Sequence, residues 1–279
     1  MKKTVLITGC SYGGMGSHLA EAFHARGFHV FATLRNTAKA GALADKEGID
    51  ILDLEVTSAE SVQSCAKAVG KITGGSLDVL VNNAGADFTL LLLDTSINDA
   101  RRLYDLNLWA PLAVTQAFAP MIVQAKGVIC NVSSVSSICN FAWAGIYASS
   151  KSALNVLSET LRVELQPFGV RVLTVMLGGC ATNAHAGMPD LVLPPGSRYQ
   201  PIWETIDRQK KGLVYKNKQD PAVAARNIVS DVIGGRQSYV WRGASSTLCW
   251  FCSTFMPNDV FVKMVNERKG LDMLAGKKH

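Results

Sequence analysis

With 279 residues, 48% hydrophobic and 18% charged, the chain is long enough for one large α/β domain or two small ones, and one is expected. Its net charge of +6 comes from scattered Lys and Arg with no long basic run or aromatic-interleaved basic stripe, which argues against a nucleic-acid partner. Seven cysteines without framework spacing, and a strand that begins at once, argue against secretion and leave reduced thiols in the cytoplasm as the expectation.

Thr4 to Thr8 reads as a strand, followed by a glycine turn and a helix under way by Ser17; a second strand, Phe28 to Leu34, closes a βαβ unit. A helix to about Glu47, a strand at Ile49 to Leu52 and a helix at Ser58 to Ile72 follow, the last opened by a capping box in Thr57-Ser-Ala-Glu60. The alternation continues with a strand at Leu77 to Val81, a helix from about Asn98 to Gln124, and a strand at Gly127 to Val132. A helix over residues 144 to 167 and a strand at Val170 to Leu177 complete it. Parallel strands need crossovers, so this rhythm predicts a doubly wound parallel sheet of about seven strands with helices on both faces. From Gly179 to Gln219 the rhythm breaks around Pro189, Pro194 and Pro195, as a substrate lid does. A helix at Pro221 to Ile233, a strand at Ser238 to Trp241 and an apolar tail over 243–279 end the chain. No apolar run of about 18 residues stands out, so no membrane-spanning helix is expected. Cys249 and Cys252 have C-x-x-C spacing but neither a second pair nor a nearby histidine, so no metal is expected.

Gly9, Gly13, Gly14 and Gly16 fall in the first strand-to-helix turn, where glycines let the backbone approach a pyrophosphate at a helix N-terminus, although the spacing departs from G-x-G-x-x-G. An acid at the end of the second strand would favour NAD; here Arg35 offers a planar fork to the 2′-phosphate of NADP, and Ser11 can add a hydroxyl. Further along, Tyr147 and Lys151 sit four residues apart on one helical face. Free tyrosine titrates near pH ~10, and a cation about 4 Å away supplies about 4 kcal/mol toward the phenolate at an effective dielectric near 20. The pair is therefore suited to proton transfer.

The segments Thr8-Gly9-Cys-Ser-Tyr-Gly-Gly-Met-Gly16 and Asn82-Asn83-Ala84-Gly85, with Asn107, Ser134 thirteen residues before Tyr147, and Lys151, together resemble the short-chain dehydrogenase/reductase family over nearly the whole chain. Within it, Thr115-Gln-Ala-Phe-Ala-Pro120 and the tail from Trp241 to Pro257 resemble the fungal 1-acyldihydroxyacetone-phosphate reductase-like enzymes, many of them ketoreductases of secondary metabolism. The resemblance implies that Tyr147 donates the proton to a carbonyl oxygen, Ser134 hydrogen-bonds that oxygen, Lys151 binds the nicotinamide ribose and acts on the phenol, and Asn107 holds a relay water. Ser133 is passed over because the family interval selects Ser134. It further implies NADP(H) contacts at Thr8, Gly9, Ser11, Tyr12, Gly14, Met15, Gly16, Arg35, Glu55, Val56, Asn83, Ala84, Gly85, Tyr147, Lys151, Gly178, Cys180 and Thr182. A small carbonyl substrate and a homo-oligomer, dimer or tetramer, are implied as well.

Glu55 replaces the family's usual Asp, Met15 a common Ile, and Leu177 a proline, the last expected to loosen Gly178-Gly179. Phe88, Ile138, Cys139, Phe141, Trp143, His185 and Met188 occupy positions where a bulky or aromatic ketone would bind, each equally compatible with ordinary core. The cluster from Arg208 to Lys218 suits a solvated helix face better than an acyl-phosphate rim. Trp250, Phe251, Phe255, Phe261 and Val262 suit burial on the body or in a dimer better than a bilayer surface such as a lipid droplet or the endoplasmic reticulum. The competing readings are a non-redox NADPH-binding protein, and a cyclase or isomerase using the same pocket.

Overall fold

The computed structural model describes residues 2–214, 217–267 and 269–274. Tyr215 and Lys216 of the expected lid, and Arg268 and residues 275–279 of the tail, lie outside the described residues.

Seven strands, β1 (Thr4–Thr8), β2 (His29–Leu34), β3 (Ile49–Asp53), β4 (Val79–Asn82), β5 (Val128–Val132), β6 (Arg171–Leu177) and β7 (Ser238–Arg242), form one parallel sheet in the order β3-β2-β1-β4-β5-β6-β7. Because helices cover both faces, the central strands are apolar on both: β5 is buried along its whole length, and Val5, Leu6 and Ile7 of β1 are fully buried. On one face α1 (Met15–His24) and α7 (Pro221–Ile233) bring Leu19, Phe23, Ala225 and Val229 onto the sheet. On the other, α2 (Ala59–Thr73) contributes Val62 and Val69, and the 97–125 helix contributes Val114, Phe118 and Ile122. The chain winds one way from β1 to β3 and the other from β4 to β7, so a crevice opens at the carboxyl ends of β1 and β4, where such sheets bind ligands.

Three local departures from the sequence reading have physical causes. The helix expected after Arg35 is a 3-10 run, Thr37–Leu43, capped by the Asn36 side chain and broken at Gly41, whose φ of 55° is left-handed. The helix of residues 97 to 125 is continuous but carries a π turn, Asp105–Trp109, between α3 (Ile97–Tyr104) and α4 (Ala110–Ala125). This stretch is also long and apolar enough to cross a membrane, which corrects the expectation that none is; half of its most apolar window is buried in the fold. The cap of α2 is Ser58, whose Oγ accepts from the Ser61 amide at 3.3 Å, while Thr57 donates to Glu55 instead of forming the expected box.

The 179–214 segment is more built than a bare loop. It holds two 3-10 turns, Asn183–His185 and Gln200–Ile202, and α6 (Trp203–Lys210); the second turn and α6 rest on a core of Leu91, Trp143, Leu191, Ile202 and Ile206. The tail forms α8 (Ser246–Phe255), α9 (Asn258–Asn266) and α10 (Leu271–Leu274). Cys252 and Phe261 pack against Cys139, so Phe261 belongs to the body, whereas Trp250, Phe251 and Phe255 stay on the surface.

Candidate active site

A cleft of about 1440 Å³ runs across the carboxyl ends of the strands. Its floor at one end is the turn after β1. Gly9 and Gly13 have φ of 76° and 75°, and a Cβ on Gly9 would stand 2.9 Å from Ala84 Cα. The N-cap of α1 is Gly14, with no side-chain cap, so the first amides of the helix face the cleft ready for an anion. Two expected contact residues lie behind this wall. Thr8 is buried, its Oγ1 accepting from the Asn83 and Ala84 amides at 3.0 and 2.9 Å, and Gly16 packs under Gly9, where a Cβ would fall on the Gly9 carbonyl. Both shape the turn. Ser11, Tyr12, Met15, Val56, Asn83, Ala84 and Gly85 line the cleft as expected.

At the end of β2, Arg35 is 75% exposed and 3.7 Å from Glu55. Burial pushes the Glu55 carboxyl up, but the Thr57 amide and hydroxyl and the Arg35 guanidinium hold it below the usual range. An exposed pair at this distance contributes at most about 1 kcal/mol, so the guanidinium can turn to a better anion. Asn36 and Lys39 also line this rim. The sequence reading passed over them, although a lysine four residues beyond Arg35 was a readable sign of a second cation.

The other end is assembled from β5, α5 (Gly145–Leu165) and the π turn. Ser134 and Tyr147 both line the cleft, and the Ser134 hydroxyl accepts from the Ser136 amide at 3.1 Å, which leaves its proton to donate. Lys151 is buried and donates from Nζ to the Val132 carbonyl at 2.9 Å. Burial pushes its ammonium down to about 8, opposed by the Asp87 carboxylate. A Cβ on Gly85 would stand 3.5 Å from Lys151 Nζ and 3.0 Å from Asn107 Oδ1, so the glycine makes room for both. Asn107 itself is fully buried and does not line the cleft. Its Oδ1 accepts from the Ala86 amide, and its Nδ2 donates to the Ala86 carbonyl and to Ser150 Oγ, which in turn donates to the Tyr147 carbonyl at 2.7 Å. The π turn thus ties the loop after β4 to the start of α5. Ser133 turns inward, toward the Lys151 carbonyl.

Beyond β6, Gly178, Cys180 and Thr182 line the cleft. The Leu177-Gly178-Gly179 turn, expected to be loose without its proline, is tied: the Gly178 and Gly179 amides donate to the Arg242 and Ala244 carbonyls at 2.7 and 3.1 Å. Burial pushes the Cys180 thiol up to about 11, so it serves as lining rather than as a nucleophile. Of the substrate-pocket candidates, Phe141 and His185 line the cleft, and Phe88 and Met188 line a smaller adjoining slot of about 370 Å³. Trp143 and Cys139 are core residues, and Ile138 packs beside Cys139. Asp87, which no motif flagged, lines the cleft with Lys151, its Oδ2 4.0 Å from His185 Nδ1. Leu248, Phe261 and Met264 of the tail also form cleft wall. In the basic cluster, Lys211 pairs with Asp190 and Asp207, while Lys218 lines the cleft.

The profile of the short chain dehydrogenase family matches residues 3–190. The chain is 52% identical to the short-chain dehydrogenase cctT of Talaromyces islandicus over 277 residues, covering 99% of this chain and 98% of that one. It is 41% identical to the NADPH-dependent 1-acyldihydroxyacetone phosphate reductase of Schizosaccharomyces pombe over 209 residues, 74% of this chain and 70% of the other. A solved short-chain dehydrogenase from Streptomyces avermitilis superposes with a TM-score of 0.80 at 27% identity, covering 100% of this chain and 99% of that one.

Proposed function

The chain belongs to the short-chain dehydrogenase/reductase family of oxidoreductases, and from that premise we propose that it reduces a ketone to an alcohol with NADPH, Tyr147 donating the proton. The observation that carries this reading is one continuous cleft with Arg35 and the glycine turn at one end and Ser134, Tyr147 and Lys151 at the other. The residues fit an NADP-type dinucleotide. Gly9 and Gly14 line the turn, Gly9 letting its backbone pass close against Ala84, and Arg35 with Lys39 and Ser11 supplies charge and donors for a 2′-phosphate. When bound, the nicotinamide supplies the hydride. The Tyr147 and Ser134 hydroxyls, both lining the cleft, would stabilise the charge developing on the carbonyl oxygen, Tyr147 by giving up its proton to it. Lys151, one turn along α5, holds positive charge where the phenolate forms.

A bulky or aromatic ketone suits a substrate wall of Phe141, Leu248, Phe261 and Met264, and fungal secondary metabolism is a setting that supplies such ketones. A second reading, reduction of a 1-acyldihydroxyacetone phosphate, draws on the fission-yeast relative's name and on Lys218 and Lys269 at the cleft. We infer a cytoplasmic homo-oligomer, the oligomer because Trp109 of the π turn and Val156 and Val163 of α5 leave apolar side chains uncovered in the monomer. The test is loss of NADPH absorbance with a panel of aryl ketones and with 1-acyldihydroxyacetone phosphate, run beside NADH. Tyr147→Phe is expected to lower turnover at least ~100-fold while NADPH still binds; near-normal turnover in that variant defeats the mechanism.

A further inference from the structure

Asp87 lies two residues past Gly85 on the loop leaving β4, and its backbone is held in place. The preceding residue, Ala86, is gripped on both sides by Asn107, at 3.0 Å through its amide and 3.0 Å through its carbonyl. The Asp87 side chain lines the cleft with Tyr147 and Lys151, its Oδ1 accepting from the Phe88 amide at 2.7 Å. Its Oδ2 faces His185 Nδ1, which comes from the first turn of the lid, at 4.0 Å. That nitrogen also lies 3.2 Å from the Lys210 carbonyl, and a Cβ on Gly212 would stand 2.7 Å from the ring. The imidazole is therefore seated between the end of α6 and the catalytic loop, and the two side chains are only 22% and 23% exposed.

A carboxylate so placed is not held by one partner. Burial pushes it up, and His185, the Phe88 amide and Lys151 act against burial. Other charged groups facing this corner are Lys210 and Asp190, which share the adjoining slot with Asp87, and Asp190 is occupied by Lys211. One carboxylate thus shares the cleft with Lys151 of α5 and stands 4.0 Å from His185 of the lid.

Resting on the carbonyl-reductase reading, we propose that Asp87 is a positioning residue: it keeps the Lys151 ammonium charged from one side and receives the lid's His185 on the other, coupling lid seating to the proton donor. Two sites that bias one group are coupled reciprocally, so a substrate that seats the lid also alters the field at Lys151. The experiment uses the full-length protein with Asp87→Asn, Asp87→Glu and His185→Gln. Lys151 titration is followed by side-chain NMR without substrate, and kcat and KM are measured across pH with NADPH. Asp87→Asn is expected to move the Lys151 midpoint and the alkaline limb of kcat/KM down by about one pH unit, and Asp87→Glu to restore most of that. His185→Gln is expected to raise KM about fivefold or more with kcat largely kept. A Lys151 midpoint unchanged in Asp87→Asn overturns the proposal, as does an unchanged KM in His185→Gln, which decides the matter alone should Asp87→Asn fail to fold. A chain that reduces no carbonyl defeats the functional reading, yet the NMR midpoint still reports on Asp87.

Discussion

The two ends of the cleft are held together in different ways. At the glycine turn the ties are main-chain or nearly so: the Gly9 and Cys10 amides share the Thr33 carbonyl at 2.9 and 3.0 Å, and Asn83 Nδ2 reaches the Thr8 carbonyl at 2.8 Å. At the lid and tail they are side chains reaching across long stretches of sequence. Asn266 Oδ1 accepts from the Ala142 amide 124 residues away at 2.7 Å, Gln209 Nε2 donates to the Ala142 carbonyl at 3.1 Å, and Trp203 Nε1 donates to the Leu191 carbonyl at 2.7 Å. The backbone donors of the glycine turn do not change with side chains, so what varies at that end is the rim of Arg35, Lys39 and Ser11. A side-chain-built end can be rewritten residue by residue, and on the proposed function that is where substrate choice would be set.

This contrast can be broken in graded ways. If the tail is part of the body, Phe261→Ala, at a residue 3% exposed, costs about 3–5 kcal/mol of stability by chemical denaturation. By contrast Phe251→Ala, at a residue 53% exposed on the neighbouring helix, stays within about 0.5 kcal/mol. Equal effects would mean that the tail folds as a separate piece. At the other end, adding an atom should hurt more than removing one. Gly16→Ala pushes a methyl onto the Gly9 carbonyl, with an expected loss of about 1–3 kcal/mol and a collapse of NADPH affinity measured by fluorescence titration. Unaltered NADPH binding there would sink the idea of a backbone-built cofactor end.

A further expected effect is in pH. Lys151 has a folded value of about 8 against an ordinary 10.5, so between those values the unfolded chain binds more protons. Folding stability should therefore rise with pH across that window, by up to about 3 kcal/mol, and Lys151→Met should flatten the rise. A wild-type profile falling over the same range would mean that the ammonium is better compensated than its burial implies.

The sheet was legible because parallel strands covered on both faces read as short apolar runs, and the starts of β1 and β3 fall where the runs do. Tyr147 and Lys151 were legible through helical periodicity, and Ser134 through the interval that the family resemblance implies. The 3-10 run at Thr37–Leu43 was not, since one glycine at positive φ, under the Tyr12 ring, outweighs helix propensity in its neighbours. Nor was Thr8's structural role, because a threonine beside a glycine turn reads the same whether it faces ligand or backbone. Asp87 carries no period and no motif; its meaning comes from His185, 98 positions later, and only the fold brings them together.

The π turn at Asp105–Trp109 sets local and global fitness against each other. A residue in excess of the α-helical count turns the rest of the helix by about 100° relative to an uninterrupted one. Deleting one residue there would heal the helix and give it better hydrogen bonds on its own account. It would also swing Asn107 off Ala86 and release the loop that carries Gly85 and Asp87. A stability screen that scores the helix alone would select that deletion, and the gain would be made at the expense of the active site.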